Sequence, residues 1–323
     1  MMSKRATAIL NTALIASITA ALVGCGGGGG GTSAATPSAT TVTGTAAKGL
    51  VKQAKVLVCR IVNGAPESDT SCVSTTTGSD GAYSVSFADG YAGPVMVKVM
   101  PTSTSMMVDE STGLDIPYNM TMRAVVPAVS GATTVYVTPF SEIAANAASK
   151  TTMNATSINE SIAAVQTAMA GLGINLSVMP MMDLKNYGSN STMLTMQSNM
   201  IKQLARVSLA ARNSSLLTDA NGVPCYTAGT TTSQQITCAV TAMSNMMSGY
   251  ATPDPTKMAT IMTALMTQNV TSVSVPIVQS NGTVTMPMVD MTSLTAMQTA
   301  MQNAGMPMNT ATGMMTTMMG GLR

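Results

Sequence analysis

From Thr41 to about Val137, apolar residues recur at every second position in short runs broken by turn residues, the pattern of half-buried strands. Gln53–Val62 predicts one strand, with Ala54, Val56 and Val58 alternating against Lys55, Leu57 and Cys59. Cys72–Thr77 predicts a partner that folds back on it across Asn63-Gly64 and Pro66. Ser79-Asp80-Gly81 is a turn signal, and Tyr83–Phe87 then alternates strictly. Gly93-Pro94 opens Val95–Val99, and Tyr118–Val126 and Thr133–Val137 complete about seven strands. Seven short strands with regular turns predict an antiparallel sandwich over 42–137.

Past Val137 the period changes from two to near 3.6. Thr138-Pro139 is a helix start, a Thr cap with Pro in the first turn, and Phe140, Ile143, Ala144 and Ala147 follow on one face. Ser157-x-x-Glu160 reads as a capping box ahead of Ile158, Ile162, Val165, Met169 and Leu172. Helices are also predicted over Asn190–Arg212, over Ser233–Gly249 and after Asp254-Pro255. Val273, Val275, Asn281-Gly282, Val284, Met286 and Met288 interrupt the series as a β-hairpin near 273–289 with a two-residue turn. Asp290 then caps a last helix through Leu294, Met297 and Met301. The expected fold class is α+β in two domains, the sandwich and then a Met-rich helical domain over 138–304, with a flexible Met/Thr/Gly tail over 305–323.

The first residues carry an address. Lys4 and Arg5 precede an apolar stretch, Ala6–Val23, rich in small residues. It ends in Leu22-Val23-Gly24-Cys25, which resembles the lipobox of bacterial lipoproteins. The resemblance implies a signal peptide over 1–24, cleavage before Cys25 and fatty acylation of Cys25, so that the lipid bilayer is the first partner. Gly rather than Asp at position 26 implies sorting to the outer membrane, with the protein facing the periplasm or the cell surface. Two or more acyl chains are enough for stable anchoring. Cleavage ahead of Cys25 removes 24 of 323 residues and leaves 299. Lys4 and Arg5 go with it, so 15 basic side chains become 13, against 13 acidic ones. Residues 25–41 then form the acylated Cys and a Gly/Ser/Thr tether, and its sixteen residues from Gly26 reach roughly 20–25 Å. The glycine run is no phosphate cradle, because no strand precedes it and no Lys-Ser/Thr pair follows.

The other four cysteines are even in number, as expected of an exported chain, and allow three pairings. Cys59 and Cys72 are thirteen apart, as are Cys225 and Cys238, and this spacing selects the local pairs Cys59–Cys72 and Cys225–Cys238. With no CxxC spacing and no His, neither a zinc site nor a redox pair is expected.

Val42-Thr43-Gly44, then Gly49 through Val56 with its Ala54-Lys55-Val56 step, then Thr75-Thr76-Thr77-Gly78-Ser79-Asp80-Gly81-Ala82-Tyr83-Ser84 resemble the carboxypeptidase regulatory-like, transthyretin-like β-sandwich. The resemblance covers about 60 residues and implies a fold and an accessory role, not an activity. Asp80 is a turn residue rather than a calcium ligand, since no carboxylate cluster surrounds it in sequence.

Composition closes several routes to chemistry. Histidine is absent, which removes the usual general base and every His-containing triad. Ser149 and Lys150 are adjacent on a helix and cannot face each other as a dyad. Asp109-Glu110 sits in a Ser/Thr-rich stretch and reads as a solvated loop. No basic stripe points to nucleic acid. The 33 methionines read first as core filler, since Met forms helices well and packs irregular gaps. Two other uses of the thioethers remain: ligation of Cu(I), with Met306, Met308, Met314, Met315, Met318 and Met319 as the ligands to expect, and buffering of oxidants as sulfoxide. The sequence therefore predicts a non-catalytic envelope lipoprotein with no cofactor, a binding or scaffolding module whose partner is an envelope protein or a glycan.

Overall fold

The computed structural model describes residues 38–177, 191–246, 254–278, 281 and 283–290. The leader with Leu22, Val23, Gly24 and Cys25, the helix expected after Asp290 and the tail with its six methionines lie outside the described residues. Among the described residues the chain is α+β: strands come first, five α-helices follow, and then a small hairpin.

Eleven strands precede the first helix: β1 (Thr40–Ala46), β2 (Val51–Lys52), β3 (Lys55–Val62), β4 (Ala65–Pro66), β5 (Val73–Thr76), β6 (Ala82–Phe87), β7 (Val95–Met100), β8 (Met106–Val108), β9 (Asp115–Pro117), β10 (Met122–Val126) and β11 (Ala132–Val137). They form three sheets. One has the order β11-β1-β6, a second runs β10-β7-β3-β4 with β5 also on β3, and a third is β2-β8-β9. The helices are α1 (Pro139–Ala148), α2 (Ala155–Ala168), α3 (Ser191–Asn213), α4 (Thr232–Met246) and α5 (Pro255–Met266). The hairpin comprises β12 (Ser272–Ser274), β13 (Ile277–Val278), β14 (Val284–Thr285) and β15 (Met288–Asp290).

Several elements follow directly from their pattern. β6 alternates as read, with Tyr83, Val85 and Phe87 buried and Ser84 and Ser86 exposed. Its Tyr83 hydroxyl donates to the Val135 carbonyl 2.6 Å away, across β1. Gly44 makes this reach possible, because a Cβ there would stand 1.7 Å from that carbonyl oxygen and 2.7 Å from the hydroxyl. Thr138 caps α1 by accepting from the Ser141 amide, while the Ser141 hydroxyl accepts from the Thr138 amide. Asp254 caps α5 by accepting from the amides of Thr256 and Lys257. Both predicted disulfides are present, Cys59–Cys72 stapling β3 to the start of β5 and Cys225–Cys238 holding a loop to α4.

Other expectations need correction. The strand array is not purely antiparallel: β1 runs parallel to β11, Thr41 opposite Ala132. A long connection between them makes this possible where a tight turn would not. β3 is covered on both faces, so Leu57 and Cys59 are as buried as Val56 and Val58. The segment read as Tyr118–Val126 splits, because the Tyr118 amide turns to Ser105 and its ring enters the core, and the ladder resumes only at Met122. The α2 cap is Asn154, whose side chain takes the Ser157 amide, so Ser157 lies inside the helix rather than at its cap. Val278 pairs with Val284, which leaves 279–283 between them instead of a two-residue turn.

Strands and helices share one apolar core. Val42, Val56, Val97 and Val137 from the sheets belong to the same cluster as Phe140, Ile143, Leu204, Val240 and Leu265 from the helices. Among the described residues, nine methionines, including Met107, Met122, Met169 and Met243, are buried in the fold. Among the described residues no helix is long and apolar enough to cross a membrane.

Candidate functional site

Two groups of charged residues stand where the strand and helix layers meet. The first is sealed. Lys48 follows the end of β1 in the run Ala46-Ala47-Lys48-Gly49-Leu50-Val51, and its side chain is fully buried. The Lys48 Nζ donates to Glu110 Oε2 and, over 2.6 Å, to the Ser208 hydroxyl on α3. The Gly49 amide donates to the other carboxylate oxygen, Glu110 Oε1. Gly49 has φ +62°, and a Cβ on it would lie 1.8 Å from the Val108 carbonyl oxygen, so only glycine lets the Lys48 turn approach the end of β8 this closely. The Ser274 amide of β12 donates to the Glu110 carbonyl at 2.7 Å.

Asp109, beside Glu110, faces a different partner. Its carboxylate accepts from the Ser111 amide and hydroxyl, from the Thr112 hydroxyl and, over 3.2 Å, from Arg212 Nη1 on α3. Arg212 Nη2 also donates to the Ser111 hydroxyl. Two cations thus meet two carboxylates in the interior. Asp109 is 0% and Glu110 2% exposed, so the solvated-loop reading of this pair is overturned. The reason is long-range: Lys48 and Arg212, distant in sequence, neutralise the loop's charge and let it be buried.

The two carboxyls shift in opposite directions. For Asp109 burial pushes upward, but Lys48, the Ser208 hydroxyl, Arg212 and Ser111 together outweigh it and hold the group below its ordinary value. For Glu110 burial is the larger effect and raises the carboxyl despite the opposing pull of Lys48. The space beside Glu110 is a cavity of about 10 Å³, lined by Gly49, Leu204 and Ser274 among others, which is room for one water.

The second group is open. A cleft of about 720 Å³ lies between β7 and β10 on one side and α1 and α4 on the other. Arg123 of β10 holds Glu142 of α1 with its amide at 2.7 Å and its guanidinium at 2.5–3.2 Å. Asn146 reaches from α1 to the Ser244 carbonyl of α4 at 2.8 Å, and Lys98 pairs with Asp69 at 2.6 Å across the rim. Among the described residues no aromatic side chain lines this cleft, and its lining there offers hydrogen bonds and charge. Its size is that of a small-molecule or peptide-loop site.

Of the residues singled out in the sequence, the structure joins Cys59 to Cys72 and Cys225 to Cys238. Ser149 and Lys150 lie just past the end of α1 rather than on a helix, and the Ser149 hydroxyl donates back to the Ala145 carbonyl at 2.7 Å. Asp80 Oδ1 accepts the Ala82 amide as part of its turn. Among the described residues one cluster has metal-like spacing, Cys59, Asp69 and Cys72, but its two sulfurs are bonded to each other. Sequence reasoning missed Lys48, Ser208 and Arg212, and the cleft pair Arg123 and Glu142. The available signal was Lys48 itself, a lone charge inside an apolar run of a chain only 9% charged. Comparisons with protein-family models, with curated proteins and with solved structures found no match for this chain.

Proposed function

We propose that the chain is an exported lipoprotein, held to the outer membrane by acylated Cys25, that works by binding and not by catalysis. The observation that carries this reading is the disposition of its cysteines. Four of the five are consumed by two local disulfides, and the fifth stands in Leu22-Val23-Gly24-Cys25. Stable disulfides belong to oxidising compartments, and a thiol left over at that position is the one the lipid chemistry requires.

The transthyretin-like reading of the strand layer draws support from its own motif. Gly44 and Tyr83, both part of the resemblance, meet at the Val135 carbonyl, so the motif residues act together in tying β6 to β11 across β1. The place for a partner is the cleft between β7, β10, α1 and α4, where Lys98, Arg123, Asp69 and Glu142 present both signs of charge. With no ring on which a sugar would stack, this lining favours a polar segment of an envelope protein over a glycan. The buried methionines support core packing rather than metal binding as their main use.

The test is metabolic labelling with palmitate in a Gram-negative host. Wild-type chain incorporates label and sediments with membranes, and Cys25→Ser does neither. An unlabelled, soluble wild type would remove the anchor from this account.

A further inference from the structure

We infer that Lys48 and Glu110 are joined by an intramolecular isopeptide bond, formed by the folded chain without another protein. The parts needed for amide formation are all within the sealed cluster. Lys48 Nζ is the nucleophile and contacts Glu110 Oε2 directly. Glu110 Cδ is the electrophile, and its Oε1 is held by the Gly49 amide, the donor that stabilises negative charge when the carbonyl is attacked. The Ser208 hydroxyl touches both partners, accepting from Lys48 Nζ at 2.6 Å and donating to Glu110 Oε2 at 3.4 Å. The fold holds nucleophile and electrophile together permanently, which makes an otherwise slow condensation effectively intramolecular.

The atoms balance without any co-reactant. A proton passes from the Lys48 ammonium to the Glu110 carboxylate, giving a neutral amine and a carboxylic acid. Burial favours this exchange, because a neutral pair needs no solvation. The Nζ lone pair then adds to Cδ, and negative charge gathers on Oε1 against the Gly49 amide. The proton lost by nitrogen reaches Oε2 through the Ser208 hydroxyl, and Oε2 leaves as water. One N–C bond forms, one C–O bond breaks, and nothing is oxidised or reduced. The cavity of about 10 Å³ beside Glu110 has room for the departing molecule. Charge balance survives the step, because Arg212 and Asp109 remain paired with each other.

The same burial argues against the other use of a Ser–Lys contact, acyl transfer to an outside substrate. Lys48 and Ser208 are each 0% exposed, and the adjoining space holds no more than a water. The nucleophile therefore meets only the chain's own carboxyl. The product would tie the end of β1 to the turn after β8 across 62 residues, a loop that encloses the Cys59–Cys72 bridge.

The test is a peptide map of the purified full chain, reduced, alkylated and digested with trypsin under denaturing conditions. The expected result is no cleavage after Lys48 and a branched peptide that joins the segment carrying Lys48 to Val99–Arg123. Its mass is one water below the sum of the two peptides, with fragment ions placing the branch at Glu110. The intact chain shows the same deficit beyond the hydrogens lost in its two disulfides. Lys48→Arg and Glu110→Ala each abolish the branch. A free, unmodified Val99–Arg123 peptide from the wild type, or a branch placed at Asp109, would overturn the assignment, and neither result depends on a variant that folds.

Discussion

Among the described residues, Lys48 meets Glu110 and Arg123 meets Glu142 at the seam between strands and helices, and the two pairs differ in access to water. Around Lys48 and Glu110 the layers close, the side chains are 0% and 3% exposed, and every neighbour belongs to the chain. Around Arg123 and Glu142 the layers part into a cleft, and the Arg123 side chain keeps 24% of its surface. Similar charges therefore face different company. The sealed pair interacts only with the protein's own groups, so its effect is on the stability and covalent state of the fold. The open pair is partnered on one side and faces solvent on the other, which is the arrangement that leaves room for a ligand.

Breaking the sealed pair should have the largest effect. Lys48→Met leaves the Glu110 carboxyl buried without its partner, and urea melts should show a loss of about 3–5 kcal/mol. Arg123→Met strands a largely buried Glu142 in the same sense, but water enters the cleft and compensates, so the loss should be about 1–3 kcal/mol. Equal losses at the two sites would erase the distinction between sealed and open.

Acid should sharpen the contrast. Asp109 is held below its ordinary value of 3.8, so its contribution is complete above that pH and disappears as pH falls through the lower folded value. Asp109→Asn should therefore be less stable at neutral pH and flatten the acid limb of the wild-type profile, read as melting temperature against pH. The smallest effect belongs to Lys52, four residues beyond Lys48, which pairs with Asp115 at 2.8 Å with both side chains partly exposed. Lys52→Met should change stability by no more than about 1 kcal/mol.

What the sequence made legible was local. The strict alternation of Tyr83–Phe87, the caps at Thr138 and Asp254 and the two thirteen-residue cysteine spacings each place their determinants within a few turns of chain. What it hid was made of distant parts. Lys48 and Glu110 are 62 residues apart, and Lys48 and Ser208 are 160 apart, so no periodicity connects them. Asp109-Glu110 among Ser and Thr has the composition of a wet loop, and only the arrival of Lys48 and Arg212 makes its burial tolerable. The parallel pairing of β1 with β11 is hidden for the same reason, since alternation fixes which face is buried but not the direction of a distant neighbour.

The difference in access can be read directly by acylating the native protein with a water-soluble amine reagent and mapping the modified lysines. The account predicts that Lys52 and Lys98 are labelled while Lys48, sealed in and joined to Glu110, stays unmodified. Labelling of Lys48 at the pace of Lys98 would mean that solvent reaches the cluster, and the separation of a sealed interior from an open cleft would fail.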